Sequence, residues 1–513
     1  YDTDGSGQAK GIWKEIPEPN RKIRLDSATM PHALVSEADG TFTFRQILWN
    51  DCGVGDETTS PVPSFIGLAI SDIFFYRNRL GFIADENVVF SRNGDFFNFW
   101  RETVTNILDT DPIDVSVSHV KISILRHAIP FNEALLLFSD QTQFIISGSQ
   151  FLTPKTVSIS QSTEFETDLL AKPKGAGRFI YFVAPKGGFS TVREYYTASD
   201  NQGNDATDIT AQVPKYISGR IFKLATSTNE TVMVALSDTE RHKIFVYQWY
   251  FEEDQQKVQS AWHTWELVEG EKVLNAEFIE STLWLVVQRD DGVYLDRIDV
   301  EPGNKDVGMD FLILLDRRVF GSGTNRIYDA ATNKTTITLP YPDDNPLQVV
   351  RAPYNNTSPG EVVPHEVIDS DTIRVPGDLV STGFVVGRRY NMYYHLSPLV
   401  IRENAPGGGQ VAATQGRVQV RRFSVNFAES GYFKVRVTPF QRDSYEYVFS
   451  GRVVGSAKSP LGDSGIESGT FRFPVMANNL GVTIEFENDS PFPCRFLNAD
   501  WEAQYIVRSK RMG

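Results

Sequence analysis

Between Ser64 and Trp100 the chain reads SFIGLAISDIFFYRNRLGFIADENVVFSRNGDFFNFW. Three short runs, IFFYRN, RLGFIAD and NVVFSRN, are separated by polar, Gly-containing turns and filled with aromatic and β-branched residues. Such side chains suit a pleated, half-buried surface and disfavour helix. The run closes on Phe96, Phe97, Phe99 and Trp100. Three or four antiparallel strands of this size make one blade of a β-propeller. Arg92 and Asp95 near its end read as braces of a turn.

The rest of the chain keeps this texture. Helical periodicity is nearly absent; apolar residues alternate or come in runs of four to six bounded by Gly, Pro, Asn and Asp. Examples are ALLLFSD (134–140), QFIISG (143–148), RFIYFVAP (178–185), KIFVYQWYF (243–251), TLWLVVQRD (282–290) and GVYLDRIDV (292–300). Strand pairs recur around 73–90, 134–146, 179–195, 243–263 and 282–298, a spacing of roughly 40–60 residues that suits propeller blades. Five blade-like units are covered, with a sixth expected upstream of Tyr1 or from the far end. The expected fold is all-β: entry strands over 1–60, a β-propeller over 61–305, and β-sandwich-like modules over 306–513. In that last part DFLILLD, KTTITLP, DTIRVP, GRVQVRRFSVNFA, GYFKVRVTPF, TFRFPV and GVTIEFEN read as strands. Strict alternation in VQVRRFSVNF and FKVRVTPF predicts sheets with one buried and one wet face.

Composition narrows the function. At 513 residues the chain exceeds one ordinary core, so two or more domains are expected. No uninterrupted apolar run reaches the roughly 18 residues of a membrane-spanning helix. The opening YDTDGSGQAKG has neither a basic start nor an apolar stretch, so it is no signal peptide; it starts as if in mid-hairpin, as the C-terminal part of a longer polypeptide would. Two cysteines, Cys52 and Cys494, predict no disulfide framework, and no Cys/His spacing matches zinc. A net charge of -15 argues against a general nucleic-acid-binding surface, although a negative wall suits DNA that must slide past without adhering.

No constellation of residues reads as a catalytic, cofactor-binding or metal site, and no cofactor is expected. Gly462-Asp463-Ser464-Gly465 imitates a serine-protease nucleophile turn, but Ile466 follows and the surroundings are a small-residue polar loop. Asp2-Thr3-Asp4-Gly5-Ser6-Gly7 imitates a calcium loop, with Lys10 and Gly11 where ligands are wanted. Asp109, Asp111 and Asp114 offer the paired carboxylates a glycosidase uses, against a plain role in turns. His32, His119, His127, His242, His263, His365 and His395 show no metal-binding spacing. Trp262-His263-Thr264-Trp265 reads as the aromatic close of a blade. The acceptor positions Asn229, Asn333, Asn355 or Asn356, and Asn488 carry no weight without a secretory signal.

Several separated stretches resemble the tail tubular protein B, or nozzle, family of short-tailed bacteriophages. Ser91-Arg92-Asn93-Gly94-Asp95-Phe96 with Asn98-Phe99 is one; Thr29-Met30-Pro31-His32-Ala33-Leu34-Val35 with Ala38-Asp39-Gly40-Thr41-Phe42 is another. Pro63-Ser64-Phe65-Ile66-Gly67, Leu152-Thr153-Pro154, Gln161-Ser162, Tyr181-Phe182-Val183, Val192-Arg193-Glu194-Tyr195, Ala206-Thr207-Asp208-Ile209-Thr210 and Ala261-Trp262-His263-Thr264-Trp265 continue it. Gly387-Arg388-Arg389-Tyr390 and Gly416-Arg417 carry it further on. The resemblance implies a structural subunit without enzyme activity, six copies of which form a ring-shaped channel for DNA ejection in the virion tail. It implies assembly in the host bacterial cytoplasm, contact with the adaptor-like tail tubular protein A (the gatekeeper ring) and with tail fibres, double-stranded DNA passing without specific binding, and the host cell surface met on infection. The Gly- and Pro-rich loops 353–364, 403–416 and 455–469 are the expected gates. The alternative is a propeller-type hydrolase of host surface polysaccharide, working through Asp109, Asp111 and Asp114.

Overall fold

The structure, a computed structural model, describes residues 2–3, 11–118, 123–148, 151–198, 203–252, 257–355, 359–404, 410–412, 416–451 and 465–506. Among them there is no α-helix, only strands and two short 3-10 turns. The chain divides into two compact units, residues 1–300 and 301–513.

In the first unit five antiparallel sheets follow one another, each with its strands paired in chain order. Blade 1 holds Ile70–Tyr76, Arg79–Ala84, Asn87–Phe90 and Ile113–Ser116; blade 2 holds His127–Phe131, Ala134–Phe138, Gln143–Ser147 and Ser158–Thr163. Blade 3 holds Lys174–Ala176, Phe179–Lys186, Phe189–Thr197 and Asn204–Asp208, and blade 4 holds Ile221–Ser227, Val232–Ser237, Lys243–Phe251 and Lys257–Glu266. Blade 5 has three strands, Lys272–Ile279, Thr282–Arg289 and Gly292–Asp299. First strands of successive blades lie against one another, which sets the sheets around a common axis as a β-propeller. Local chemistry sets the register. Arg77 and Asn78 both take positive φ, 45° and 60°, in the two-residue turn that pairs Tyr76 with Arg79; that geometry matches the right-handed strand twist.

The unbroken apolar runs have a direct cause. A blade is buried on both faces, and successive side chains alternate between them. In Ala134–Phe138, Leu135 and Leu137 pack toward blade 1, while Leu136 and Phe138 meet Ile180 and Phe182 of blade 3. Tyr181 and Val183 turn instead to Met233, Phe245 and Tyr247 of blade 4. Val232, Val234 and Val246 then face Val273, Leu283, Leu285 and Val287 of blade 5. The outer face of blade 1, with Phe82, Ala84 and Val89, is covered by Met30, Trp49, Phe65 and Phe99.

The second unit is built from two-layered β modules. Asp316–Phe320, Leu347–Arg351, Val362–Val363 and Phe384–Arg388 form one sheet; Asn325–Asp329, Lys334–Thr338, Glu366–Val367 and Thr372–Pro376 form another. Ile337, Val349, Ile373 and Val386 share a core. Farther on, Met392–His395, Tyr432–Pro439, Tyr445–Ser450 and Val482–Asn488 make a sheet, and Arg417–Ser430, Glu467–Asn478 and Arg495–Ile506 another. Phe423, Val425, Phe433, Val435, Phe473 and Phe486 form their common core. One expected strand is corrected: DFLILLD is irregular up to Leu315, and a strand starts only at Asp316. Phe311, Ile313 and Leu315 are buried, but the Ile313 N–H is taken by the Asp306 carboxylate at 2.8 Å and the Leu314 N–H by the Pro491 carbonyl at 2.9 Å. Alternating burial thus arises here without a ladder.

Candidate functional site

The three aspartates of the hydrolase alternative are each committed to a different structural task. Asp111 is buried, and its carboxylate accepts the N–H of Leu108 at 2.8 Å and of Glu102 at 3.3 Å. Asp109 pairs with Lys155 at 3.7 Å. Asp114 accepts the Ser64 N–H at 2.8 Å, tying the entry segment to blade 1. Beneath them lies a residue that strand patterning did not single out. Arg79 is fully buried and donates to the carbonyls of Ser91, Asp111 and Asp109 at 2.7, 2.7 and 2.8 Å. Burial pushes its pKa down to about 10, which still leaves it charged at neutral pH. A charged group buried in this way must be hydrogen-bonded. This Arg in an otherwise apolar strand was the available signal.

The other sequence candidates are accounted for as plainly. Arg92 pairs with Glu102 rather than Asp95, whose carboxylate accepts from the Asn98 amide at 2.9 Å. His127 bonds the Leu169 carbonyl at 2.9 Å and His32 stacks on Phe44. Burial lowers the pKa of His127, His263 and His365. Among the described residues no group of three or more His, Cys, Asp or Glu is placed to hold a metal ion. His119, Asp4 to Gly7, Gly462 to Ser464, and the loop residues 356–358, 405–409, 413–415 and 452–464 lie outside the described residues.

What the fold does concentrate is charge at the propeller axis. Asp72, on the first strand of blade 1, accepts Lys172 Nζ at 2.6 and 2.8 Å and the Ala128 N–H of blade 2 at 3.0 Å. Lys172 leads into blade 3. Two residues on, Lys174 donates to both oxygens of Glu277 on blade 5, at 3.1 and 3.0 Å. Lys223 of blade 4 joins the same carboxylate at 2.9 Å. Burial alone would raise the Glu277 carboxyl, but bonds from Lys223 and Lys174 outweigh it and hold it below the usual carboxylate range. Register shifts at Ile70/Asp72 and Ile221/Lys223 mark bulges, devices that re-aim a side chain. Pairs joining blade 1 to blade 3 and blade 3 to blade 5 skip a blade, so they cross the axis. Side chains therefore reach across the space between the first strands, with Lys172 and Glu277 keeping 40% and 47% exposure. Charged residues interrupting the first strands of blades 1, 4 and 5 (Asp72, Lys223, Glu277) were the signal in the sequence.

A sequence profile of the family described as bacteriophage nozzle protein matches residues 1–512. The chain belongs to the bacteriophage nozzle family. The tail tubular protein gp12 of Escherichia phage T7 is 33% identical over 517 residues, covering 97% of this chain. The chain spans 63% of the length of that curated relative. Likenesses to solved structures are remote: Kluyveromyces lactis Hsv2p has a TM-score of 0.30 at 8% identity, covering 59% of this chain and 85% of its own. The Neurospora crassa Pan2 WD40 domain has 0.28 at 11%, covering 64% and 91%.

Three of the residues that carried the nozzle resemblance are packing elements. Met30 packs on the outer face of blade 1. Trp262 packs tilted against Tyr247 with ring centroids 5.1 Å apart, and its indole N–H reaches the Ile209 carbonyl of the blade 3 side at 2.9 Å. Arg388 is buried against Asp343.

Proposed function

We propose that the chain is a wall-forming subunit of a ring-shaped tail nozzle, in which six copies surround the passage for ejected DNA. The observation that carries this reading is the match to the nozzle family along residues 1–512, together with a propeller axis crossed by the Asp72–Lys172 and Lys174–Glu277–Lys223 pairs. A duplex that cannot thread one propeller has to pass between copies. A net charge of -15 suits a wall that repels phosphate. In this reading the 61–305 propeller is the rigid body, the 306–513 modules dock tail fibres and shape the tip, and one rim meets the gatekeeper ring. The role is mechanical, without catalysis. Electron microscopy of the purified protein tests it: rings with a central hole are expected, and monomers under every condition would refute it.

A further inference from the structure

The two β modules of the second unit share a piece that belongs to the sheets of neither. Residues 306–315 run as an irregular strap. Its buried side chains Phe311, Ile313 and Leu315 press on Val350 and Val385 of the first module. Alternate residues along a strand face opposite ways, so this is the reverse side of the sheet whose Val349 and Val386 line the first module's core. The same cluster takes in Ile466 and Phe492 of the second module, with the rings of Phe311 and Phe492 5.7 Å apart. One apolar strap thus serves both modules.

Its fastenings are few and local. The Asp306 carboxylate, 8% exposed, accepts the Ile313 N–H at 2.8 Å and Arg318 Nη1 at 2.8 and 2.9 Å, which buckles the strap into a loop. Leu314 donates its N–H to the Pro491 carbonyl of the second module at 2.9 Å. Where the strap enters the strand Asp316–Phe320 it passes over Gly387. A Cβ there would stand 2.8 Å from the Asp316 carbonyl oxygen and 3.0 Å from Arg318 Cα. Both are backbone atoms that cannot swing aside, so the close approach accounts for the glycine. Lifting the strap breaks these point contacts and no strand ladder, the condition for a local opening well below the cost of global unfolding.

We propose that residues 306–315 are a releasable strap. Seated, it fixes the two modules as one body; lifted, it lets them turn about residues 389–391, which join the strands Phe384–Arg388 and Met392–His395. The chain reaches the strap from Asp299, the end of the propeller's last strand, through residues 300–305. Tension along that connection acts on the Asp306 buckle before it reaches any sheet of the second unit. The inference stands on the geometry of the second unit alone, so its failure would leave the channel reading untouched.

Two measurements test it. Spin labels at the exposed Ala330 and Ser444, attached through encoded non-cysteine handles and diluted into unlabelled protein, report the distance between the modules of one chain. The wild type should give a single narrow distribution. Asp306→Asn, which loosens the buckle, and Gly387→Ala, which lifts the seat, should each roughly double its width, as a freed hinge does. A broad wild-type distribution, or unchanged widths in the variants that fold, overturns the proposal. Hydrogen exchange on the unsubstituted protein tests release without any substitution. The Ile313 and Leu314 amides should exchange at least about tenfold faster than the ladder amides of Phe384–Arg388; equal rates would show that the strap opens only with the sheets, and overturn it.

Discussion

Asp343→Asn should destabilise the second unit by about 3 kcal/mol. The Asp343 side chain has no exposed area, and those of Arg388 and Arg317 are 7% and 8% exposed. Arg388 donates to Asp343 Oδ2 from Nε at 3.0 Å and from Nη2 at 2.9 Å, and Arg317 Nη1 reaches the same oxygen at 3.2 Å. The Asn345 N–H and amide complete the set on Oδ1 at 3.1 and 2.9 Å. The Arg317 guanidinium also lies over the Tyr341 ring, 3.9 Å from its centroid. Neutralising the carboxylate removes the counter-charge that Asp343 supplies to two buried guanidiniums. Removing one partner of a buried pair costs about 3–5 kcal/mol, and the low end applies because Asn keeps an acceptor for the Asn345 bonds. Trp501 is the second unit's own tryptophan, so 19F resonances of fluorotryptophan-labelled protein separate its urea transition from the propeller's. Burial raises the Asp343 carboxyl, but bonds from Asn345 and the Arg388 charge outweigh it and keep it below the usual range. A depressed folded-state pKa stabilises above the unfolded value near 4 and loses that contribution as pH falls through the folded value. The wild type should therefore lose stability at acid pH more steeply than the variant. A cost under about 1 kcal/mol, or additivity with Arg388→Met where residues in contact should couple, would refute the reasoning.

Lys257→Ala should cost about 2 kcal/mol, below the full buried-pair figure because the lysine is 21% exposed. It strands the Glu194 carboxylate, which takes Lys257 at 2.6 and 2.7 Å and Tyr181 at 2.9 Å between blades 3 and 4; thermal melting reads it, and no shift would count against the pairing. Gly81→Ala places a Cβ 2.2 Å from the Phe74 ring, an overpacking expected to cost about 1–3 kcal/mol, measurable by urea unfolding. Burial depresses His127, His263 and His365. Stability from neutral buried histidines is complete above the unfolded pKa of about 6.5 and is lost as pH falls below it. The melting temperature should drop between pH 7.5 and 5.5, and His127→Gln should lessen the drop.

The propeller was readable because burial on both faces writes itself into unbroken runs such as RFIYFVAP. The C-terminal sheets were readable as period-two alternation, as in VQVRRFSVNF. The strand Arg495–Ile506 was not. Only Phe496, Trp501 and Tyr505 among its apolar side chains join the core, and one bulge at Leu497 and another in its partner at Arg421 break the period. The axial charges were hidden for another reason. Lys172 and Asp72 stand 100 residues apart, and a single sequence records each residue's own environment, not its distant partner. Arg388 was visible as part of a family-like motif, but its partner Asp343, 45 residues away, was not.

The axial network also constrains where the chain's acidity acts. It brings three ammonium groups, Lys172, Lys174 and Lys223, to two carboxylates, Asp72 and Glu277. These five groups sum to one positive charge, so the excess of 65 acidic over 50 basic residues lies outside them. At physiological salt such charge is felt over about 8 Å, so acidity on a far face cannot guide DNA. Only side chains within one such distance of a duplex can keep it from adhering. A nozzle wall built from this chain must then place acidic surface against the lumen. Reversing exposed acidic residues to Lys should slow ejection only on the lumen-facing side, increasingly as salt is lowered. Equal effects from every face would separate the net charge from DNA passage.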